Sequence, residues 1–319
     1  MISGATGLIG SFLVDMLLKH NETGANVEVY ALGRSLERLR DRFSAVKTDR
    51  LHFVQHDVND RPAFDFETTY VIHAASNAYP AAFADDPVGT ILSNVQGTGY
   101  LLEYAKAHGA KRFLFVSSGE VYGQGDPALQ AFTETYSGYV DPTDPRSCYP
   151  ASKRAAESLC VSYTKQYGLD TVIVRPCHTY GPNATGRDNR ANVQFVNQAV
   201  RGENIVLQSR GTQMRSYCYV ADCTAALLTV LLQGESGQAY NLANPNARVT
   251  IAGFAQAVAK ATGTQVLFAA EQETPQDQQT PITYAVLDSE KLYELGFEAK
   301  YDIRAGVEST VSTVALAQK

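Results

Sequence analysis

The sequence predicts a doubly wound α/β fold, a parallel Rossmann sheet with helices on both faces and a smaller, interleaved C-terminal substrate lobe. The first observation is the glycine-spaced turn GATGLIG at 4–10, which is typical of the loop after the first strand of a dinucleotide-binding fold. The second is the alternation of apolar, β-rich runs with helical segments up to residue 176. Continuous apolar strands separated by helices are typical of a parallel sheet buried on both sides.

The elements of the predicted sheet follow one another in regular order. Residues 8–20 have helical periodicity, and Ser35 is a suitable N-cap for the next helix, which starts within SLERLRDRF. The further strands are predicted at 27–32, 51–55, 70–75, 112–118 and 170–176, and longer helices at 88–108 and 149–167.

The regular alternation ends near residue 176. We therefore assign 1–176 to a dinucleotide-binding Rossmann domain and 177–319 mainly to a substrate-binding lobe. The run AYNLAN at 239–244 is predicted to return to the main sheet, so we expect the two lobes to interleave. The other elements predicted in the second part are a helix near 192–201, a strand pair near 205–220 and helices at 222–233 and 250–262.

The strand that should lead into the glycine turn is short. Only Met1, Ile2 and Ser3 precede Gly4, and a strand of the usual length, about five residues, fits nowhere else. We therefore expect the natural chain to carry a further N-terminal segment of about five to ten residues.

Composition and charge narrow the class of protein. The chain has 319 residues, 45% apolar content and a net charge of −6, which suits an ordinary soluble enzyme and argues against nucleic acid or an anionic membrane as a partner. Five cysteines without CxxC spacing indicate reduced thiols in a cytoplasmic protein. The six histidines have neither HExxH nor paired Cys/His spacing, so no metal site is predicted. There is no basic signal-peptide region and no apolar run long enough to span a bilayer.

The glycine turn predicts a dinucleotide site. Gly4, Gly7 and Gly10 would let the backbone approach a pyrophosphate, with the N-terminus of the next helix aimed at the phosphates. The alternative is that the glycines only pack a helix against the sheet. After the second strand, Gly33 stands where NAD-binding proteins usually carry an acid, and Arg34 and Ser35 follow it. Because arginine suits a 2′-phosphate, NADP is favoured over NAD, unless Arg34 is merely a solvated charge.

The pair Tyr149 and Lys153 in YPASK suggests acid–base chemistry. On a helix the i, i+4 spacing puts both side chains on one face, so an ammonium group can lower the pKa of the phenol toward that of a usable base. Chance pairs of this kind are expected in a chain with 18 tyrosines. The position of the pair, after the strand that ends in SSGEVYG at 117–123, favours a catalytic role.

Six motifs in one order resemble the extended short-chain dehydrogenase/reductase family, the NAD(P)-dependent nucleotide-sugar epimerases, dehydratases and decarboxylases. They are GATGLIG, HAAS, SSGEVYG, CYPASKRAAE, RPCHTYGP and MRSYCYVAD. The resemblance implies a catalytic triad of Ser118, Tyr149 and Lys153 that oxidises a sugar hydroxyl, at C4, and returns the hydride later. It implies a cofactor site formed by Gly4, Thr6, Gly7, Leu8, Ile9, Gly10, Arg34, Ser35, Asp57, Val58, Ala74, Ala75, Ser76, Asn94, Tyr149, Lys153 and Pro176.

Glu120 narrows the subclass that the resemblance implies. Family members that act at C5 carry a glutamate two residues after the catalytic serine, and SGE is nearest to the versions in UDP-glucuronate decarboxylases and GDP-mannose dehydratases. Dehydratases of the dTDP-glucose type add a preceding acid, where this chain has Gly119. The alternative for Glu120 itself is a solvated loop charge. The alternatives for the function are a nucleotide-sugar 4-epimerase, a one-way NADPH-dependent 4-ketoreductase and a non-catalytic dinucleotide-binding regulator.

The substrate side departs from the family pattern. His178 replaces the usual asparagine before YGP, and Gln208 replaces a tyrosine of the nucleotide loop. His178 is a substrate ligand, an additional acid or base, or a packed polar residue. The resemblance further implies that Arg215 binds a nucleotide phosphate and that the substrate is a nucleotide-diphosphate sugar. The substrate-binding residues implied are His178, Asn192, Val193, Gln208 and Arg215.

The resemblance also implies a homodimer. The helices predicted at 88–108 and 149–167 resemble the pair that forms a four-helix interface in the family. Leu101, Leu102, Leu159 and Tyr163 are candidates for that interface, or else for the core of the monomer.

Overall fold

A computed structural model describes residues 1–126, 128–269 and 284–317. Its strands are β1 Ile2–Ser3, β2 Val29–Gly33, β3 Leu51–Gln55, β4 Tyr70–His73, β5 Arg112–Val116, β6 Thr171–Pro176, β7 His178–Tyr180, β8 Ile205–Leu207, β9 Met214–Tyr219, β10 Ala239–Leu242, β11 Arg248–Thr250, β12 Val266–Phe268 and β13 Tyr284–Ala285. Its helices are α1 Leu8–Asn21, α2 Leu36–Arg42, α3 Pro80–Asp85, α4 Pro87–Ala107, α5 Cys148–Tyr167, α6 Ala191–Val200, α7 Val220–Gln233, α8 Ile251–Thr262, α9 Glu290–Tyr293 and α10 Ile303–Ala317.

The main sheet has seven parallel strands in the order β10-β6-β5-β4-β1-β2-β3. Strand order reverses on either side of β1, so the glycine turn after β1 lies at the point where a doubly wound sheet binds its ligand. The predicted doubly wound fold is therefore confirmed. β1 is only two residues long, yet it pairs with both β2 and β4.

Both faces of the sheet are buried under helices, as the continuous apolar strands predict. Along β5, Leu114 packs in a core with α1 and α7, whereas Phe113 packs in a second core with α4 and α5. Leu101 and Leu102 are fully buried in that second core. Of the two roles considered for them, the structure therefore supports packing within the monomer.

Local capping explains where several helices begin and end. The Ser35 side chain accepts a hydrogen bond of 3.2 Å from the backbone N–H of Arg38, so α2 starts as the cap predicts. α5, which carries the YPASK motif, ends at Gly168 with φ of +71°, a left-handed conformation that favours glycine.

The second part of the chain builds two smaller sheets and returns one strand to the main sheet. β9 pairs with β7, β11 and β13, and β8 pairs in parallel with β12. The strand pair predicted near 205–220 is wrong in this respect, because β8 and β9 are both present but do not pair with each other. Their partners come from distant parts of the chain, which local patterning does not specify. β10 pairs with β6, with Ala239 opposite Ile173.

Candidate active site

The glycine turn forms a close-fitting backbone cradle. Gly4 has φ of +73°, and a Cβ atom there would lie 2.7 Å from the backbone nitrogen of Ala75. A Cβ atom on Gly10 would lie 2.2 Å from the carbonyl oxygen of Gly4. Gly7 donates its N–H to the same oxygen at 2.9 Å and precedes the first turn of α1. Side chains are therefore excluded where the backbone and the helix N-terminus would approach a pyrophosphate.

A hydrogen-bonded path leads to α5 from Ser76, the residue after Ala75 of this cradle. The Ser76 hydroxyl donates to Oδ1 of Asn94 at 2.8 Å, and Nδ2 of Asn94 donates to the Ser152 hydroxyl at 2.9 Å. Asn94 is fully buried on α4. Ser76 and Asn94, both predicted to line the cofactor channel, are therefore in direct contact.

Other predicted cofactor residues lie at the ends of neighbouring strands. Arg34 follows β2 and is exposed, and its carbonyl oxygen accepts a hydrogen bond of 3.2 Å from Gln55. Val58 is buried against Gly97, while Asp57 accepts from the backbone of Asn59 at 3.0 Å. The remaining predicted positions are Thr6, Leu8 and Ile9 in the turn and first helix, Ser35 after β2, Ala74 after β4, and Pro176 at the end of β6.

Lys153 is buried close to Tyr149, the predicted catalytic tyrosine. Its Nζ donates a hydrogen bond of 2.8 Å to the carbonyl oxygen of Val116 and lies 5.8 Å from the centroid of the Tyr149 ring. Burial lowers the pKa of Lys153 to about 7, although the nearby carboxylate of Glu157 opposes the shift. The i, i+4 pair therefore shares one face of α5, as the sequence predicts.

The phenol of Tyr149 is strongly affected by its surroundings. Burial raises its pKa to about 12, and the negative charge of Glu120 adds to this rise. The hydrogen bond with Ser118 and the positive charges of Arg190 and Arg146 favour the phenolate instead. The pKa of the phenol is thus higher than the simple pairing with Lys153 predicts, because desolvation is the largest effect.

Glu120 is held by an arginine that the sequence interpretation did not include. One guanidinium nitrogen of Arg146 lies 2.9 Å from Oε2 and 3.2 Å from Oε1 of Glu120. The side chain of Glu120 is 26% exposed. This carboxylate is therefore not a solvated loop charge. The signal that could have indicated Arg146 is its place in DPRSCY, three residues before Tyr149.

Phe83 is a second residue that the sequence did not indicate. Its ring is stacked on that of Tyr149, with 4.6 Å between the centroids and an angle of 25° between the planes. The guanidinium of Arg146 lies 4.5 Å from the centroid of the same Phe83 ring. Phe83 comes from α3, and no motif in that short helix distinguishes it from an ordinary core residue.

His178 has an environment that opposes protonation. It lies on β7 opposite Tyr217 of β9, and the centroids of the two rings are 5.7 Å apart. Burial and the positive charges of Arg215 and Arg190 lower its pKa to about 3. His178 is therefore neutral near pH 7, which argues against the predicted alternative of an additional acid or base and leaves ligand binding or packing.

The other predicted substrate residues lie on three neighbouring elements. Arg215 is 2% exposed on β9, and its guanidinium donates to the carbonyl oxygen of Met214 at 2.9 Å. Asn192 and Val193, in the first turn of α6, line a cavity of about 240 Å³ that is shared with α10 and the loop after β7. Gln208 follows β8 and is exposed.

In residues 1–126, 128–269 and 284–317, no group of three or more His, Cys, Asp or Glu side chains is arranged to hold a metal ion. Among the same residues, no helix is both long and apolar enough to cross a membrane.

The fold and this site together define a dinucleotide-dependent enzyme of the short-chain dehydrogenase/reductase type. The model of the NAD dependent epimerase/dehydratase family matches residues 1–243. The chain belongs to this family, which confirms the family and the enzyme class predicted from its motifs.

The curated relatives are named as decarboxylases. UDP-glucuronic acid decarboxylase 6 of Arabidopsis thaliana is 36% identical over 310 residues, which cover 96% of this chain and 86% of the relative. UDP-glucuronic acid decarboxylase 1 of Xenopus tropicalis is 32% identical over 314 residues, covering 98% and 70% of the two chains. The prediction of a nucleotide-sugar modifying enzyme of the decarboxylase or dehydratase type is confirmed at this level.

Solved structures share the fold over the whole chain. A double mutant of the dTDP-glucose 4,6-dehydratase DesIV from Streptomyces venezuelae, with NAD bound, has a TM-score of 0.80 at 26% identity and covers 98% of this chain and 95% of its own. UDP-glucose 4-epimerase from Thermotoga maritima, solved with UDP-glucose, has a TM-score of 0.82 at 22% identity and covers 100% and 99%. The second likeness supports the fold alone.

Proposed function

We propose that this enzyme decarboxylates the hexuronic acid of a nucleotide sugar, with UDP-glucuronate as its substrate. The observation that carries the proposal is the carboxylate of Glu120, held by Arg146 close enough to Tyr149 to affect its pKa. A carboxylate at that position suits chemistry at C5, next to the C4 carbon that Tyr149 and Ser118 would serve. The names of the relatives at 32–36% identity support the same substrate.

The residues around the glycine turn fit a nicotinamide dinucleotide. The turn is closed to side chains at Gly4 and Gly10, and the polar path from Ser76 through Asn94 leads from it toward Tyr149. When bound, the dinucleotide would supply the acceptor and later the donor of a hydride at C4.

Tyr149 and Ser118 act on the C4 oxygen in the proposed reaction. Tyr149 removes the hydroxyl proton as C4 becomes a ketone, and the Ser118 hydroxyl hydrogen-bonds to the same oxygen. The C6 carboxylate is then β to the ketone. When the C5–C6 bond breaks, CO2 leaves and the electron pair moves to the C4 oxygen, where the phenol of Tyr149 now donates a hydrogen bond.

Glu120 acts at the neighbouring carbon. After CO2 has left, C5 must take up a proton before the C4 carbonyl is reduced again. The negative charge of Glu120 acts on Tyr149, which supports a position from which its carboxyl group would order a proton donor at C5. As C4 is reduced again, Tyr149 would hold the proton that returns to the C4 oxygen.

Product analysis in deuterated water tests the proposal. The enzyme is incubated with dinucleotide and with UDP-, dTDP-, GDP- and CDP-sugars, including UDP-glucuronate, and the products are examined by NMR. We expect CO2 release and a pentose product with deuterium at C5 from UDP-glucuronate alone. Epimerised hexose without CO2 release would identify a 4-epimerase, and steady consumption of NADPH at 340 nm would identify a ketoreductase.

We propose NADP as the preferred dinucleotide. β2 ends at Gly33, so no acid stands ready for a ribose 2′-hydroxyl, and the exposed guanidinium of Arg34 follows directly. The NAD bound in the DesIV dehydratase is a property of that protein.

We also propose a homodimer and a cytoplasmic location. Val88, Ile91 and Leu92 of α4 and Val161 of α5 are exposed apolar side chains, and they extend over the two helices that the family resemblance assigns to the interface. Light scattering of wild type and of Ile91→Glu tests the dimer, whose mass should halve in the variant.

The cytoplasmic location is supported by the cysteines. The five cysteines are all free thiols, which suits a reducing compartment.

A further inference from the structure

Arg146 touches two residues of the candidate active site at once. Its guanidinium hydrogen-bonds to both carboxylate oxygens of Glu120 and also lies 4.5 Å from the centroid of the Phe83 ring, which is itself stacked on the ring of Tyr149. Phe83 thus contacts both Arg146 and Tyr149. Cation–π and stacked aromatic contacts of these kinds favour a fixed geometry.

The charges of this cluster act on Tyr149 in opposite directions. The negative charge of Glu120 disfavours a phenolate, whereas the positive charge of Arg146 favours it. Without a cation beside it, the carboxylate of Glu120, which would act at C5, would disfavour ionisation of Tyr149, the base that would act at C4. The polar and charged groups that face Tyr149 from neighbouring elements and from its own helix are Ser118, Glu120, Arg146, Arg190 and Lys153.

We propose that Arg146 is a positioning residue, which fixes Glu120 next to Tyr149 and offsets part of the effect of the carboxylate charge on the phenol. This inference rests on the proposed function for the role of Glu120, but the charge compensation concerns the chain alone. It explains how one site holds a carboxylate and a tyrosine base together.

The ion pair is not suited to a mainly structural role. The side chains of Arg146 and Glu120 are 30% and 26% exposed. Solvent weakens such pairs, so they typically contribute little to stability. Replacement of Arg146 is therefore expected to change the chemistry of Tyr149 more than the stability of the fold.

A spectroscopic titration of residue 149 tests the inference without substrate. A fluorinated tyrosine, which ionises at lower pH than tyrosine, is introduced at position 149 of the full-length, dinucleotide-loaded enzyme. Its ionisation is followed by 19F NMR in the otherwise wild-type enzyme and in four variants. These are Arg146→Met, Arg146→Lys, Glu120→Gln and the double variant Arg146→Met/Glu120→Gln. Arg201→Met, which removes an arginine from an exposed ion pair with Glu203, is the matched control.

We expect Arg146→Met to raise the ionisation midpoint by about one pH unit, a tenfold loss of phenolate at a given pH below the midpoint. Arg146→Lys should keep most of the wild-type midpoint. The double variant should return to the wild-type midpoint or fall below it, because the carboxylate charge, which has the larger of the two effects, is then absent as well. Arg201→Met should have no effect. Equal midpoints in wild type and Arg146→Met, or a rise that persists in the double variant, would overturn the inference.

The kinetic experiment separates this inference from the proposed function. The rate of C4 oxidation should rise with pH as Tyr149 ionises, and Arg146→Met should move this rise to higher pH. The double variant should recover C4 oxidation but should not exchange hydrogen for deuterium at C5. If UDP-glucuronate is not a substrate, the proposed function fails, but the 19F titration still decides the role of Arg146. If the titration midpoints do not move, the role of Arg146 fails even where CO2 is released.

Discussion

The carboxylate of Glu157 accepts two hydrogen bonds from the guanidinium of Arg175, at 2.9 and 2.7 Å. A third comes from the hydroxyl of Ser117, at 2.5 Å. The pair is largely buried, and it joins α5 to β6 and to the end of β5. Glu157 follows Lys153 by one helical turn, so its negative charge helps to keep the buried ammonium protonated.

Replacement of Glu157 by glutamine should therefore affect both stability and activity. We expect the free energy of unfolding to fall by roughly 3 kcal/mol, because Arg175 is left as a buried charge without its counter-ion. The pKa of Lys153 should fall further, so the ammonium form, and with it activity, should be lost at lower pH than in wild type. Urea unfolding and a pH–rate profile measure the two effects.

The matched control for this prediction is Glu203→Gln, which breaks an exposed pair with Arg201. It should change neither the urea midpoint nor the pH profile, since exposed pairs contribute little. A Glu157→Gln enzyme with wild-type stability and an unchanged profile would show that the buried pair supports neither the fold nor Lys153.

Local signals in the sequence account for most of the main sheet. The apolar runs predicted the positions of β3 and β6 to within one residue, and Ser35 marked the start of α2 because its hydroxyl caps the adjacent backbone. The partners of β8 and β9 were not predictable in this way. β8 pairs with β12, nearly 60 residues later in the chain. The pattern of apolar and polar residues in these two strands does not specify which distant strand each one pairs with.

The catalytic motif was also visible in the sequence, whereas its surroundings were not. The i, i+4 spacing placed Tyr149 and Lys153 on one face of α5. Phe83 and Arg146 reach Tyr149 only because α3 and the turn before α5 come together in the folded chain. Such contacts depend on tertiary packing, so the sequence carries no local signal for Phe83, and for Arg146 only its place three residues before Tyr149.

Gly10→Ala tests the cradle of the glycine turn. The added methyl group would lie 2.2 Å from the carbonyl oxygen of Gly4, and the nearest atoms are all backbone atoms of Gly4 and Ala5, which cannot move aside as a flexible side chain could. We expect at least a tenfold loss of dinucleotide affinity, equivalent to about 1.4 kcal/mol, and a lower melting temperature. Calorimetric titration with NADP and with NAD, together with a thermal melt, gives both quantities.

Gly186→Ala is the control for the glycine turn, since no atom lies within 4 Å of the position of its added methyl group. It should bind the dinucleotide as wild type does. If Gly10→Ala also retains wild-type affinity, the turn is only a packing feature between α1 and the sheet.

Arg34→Ala tests the preference between the two dinucleotides. If the exposed guanidinium after β2 binds a 2′-phosphate, its removal should weaken NADP binding by about tenfold to a hundredfold, or about 1.4–3 kcal/mol, and should leave NAD binding nearly unchanged. Arg38→Ala, in the exposed first part of α2, is the control. Dissociation constants measured by calorimetry decide the question, and an equal change for both dinucleotides would contradict the preference for NADP.

Two buried histidines predict how stability depends on pH. His73 shares a hydrogen bond of 2.7 Å with the Ser3 hydroxyl, and burial lowers its pKa to about 3, as it does for His178. In the unfolded chain both residues return toward the ordinary value of 6.5. The unfolded state therefore binds more protons at acidic pH, and protonation pulls the equilibrium toward unfolding.

The stabilisation by these neutral histidines is complete above about pH 6.5 and is lost as the pH falls toward 3. Each should contribute a slope of about 1 kcal/mol per pH unit in that window. His178→Asn should remove one of the two contributions and flatten the dependence between pH 4 and 6, whereas His20→Asn, at an exposed position, should not. Urea unfolding at several pH values measures the slopes. An unchanged slope in His178→Asn would mean that His178 is protonated as easily in the folded chain as in the unfolded one, which its burial beside Arg215 and Arg190 argues against.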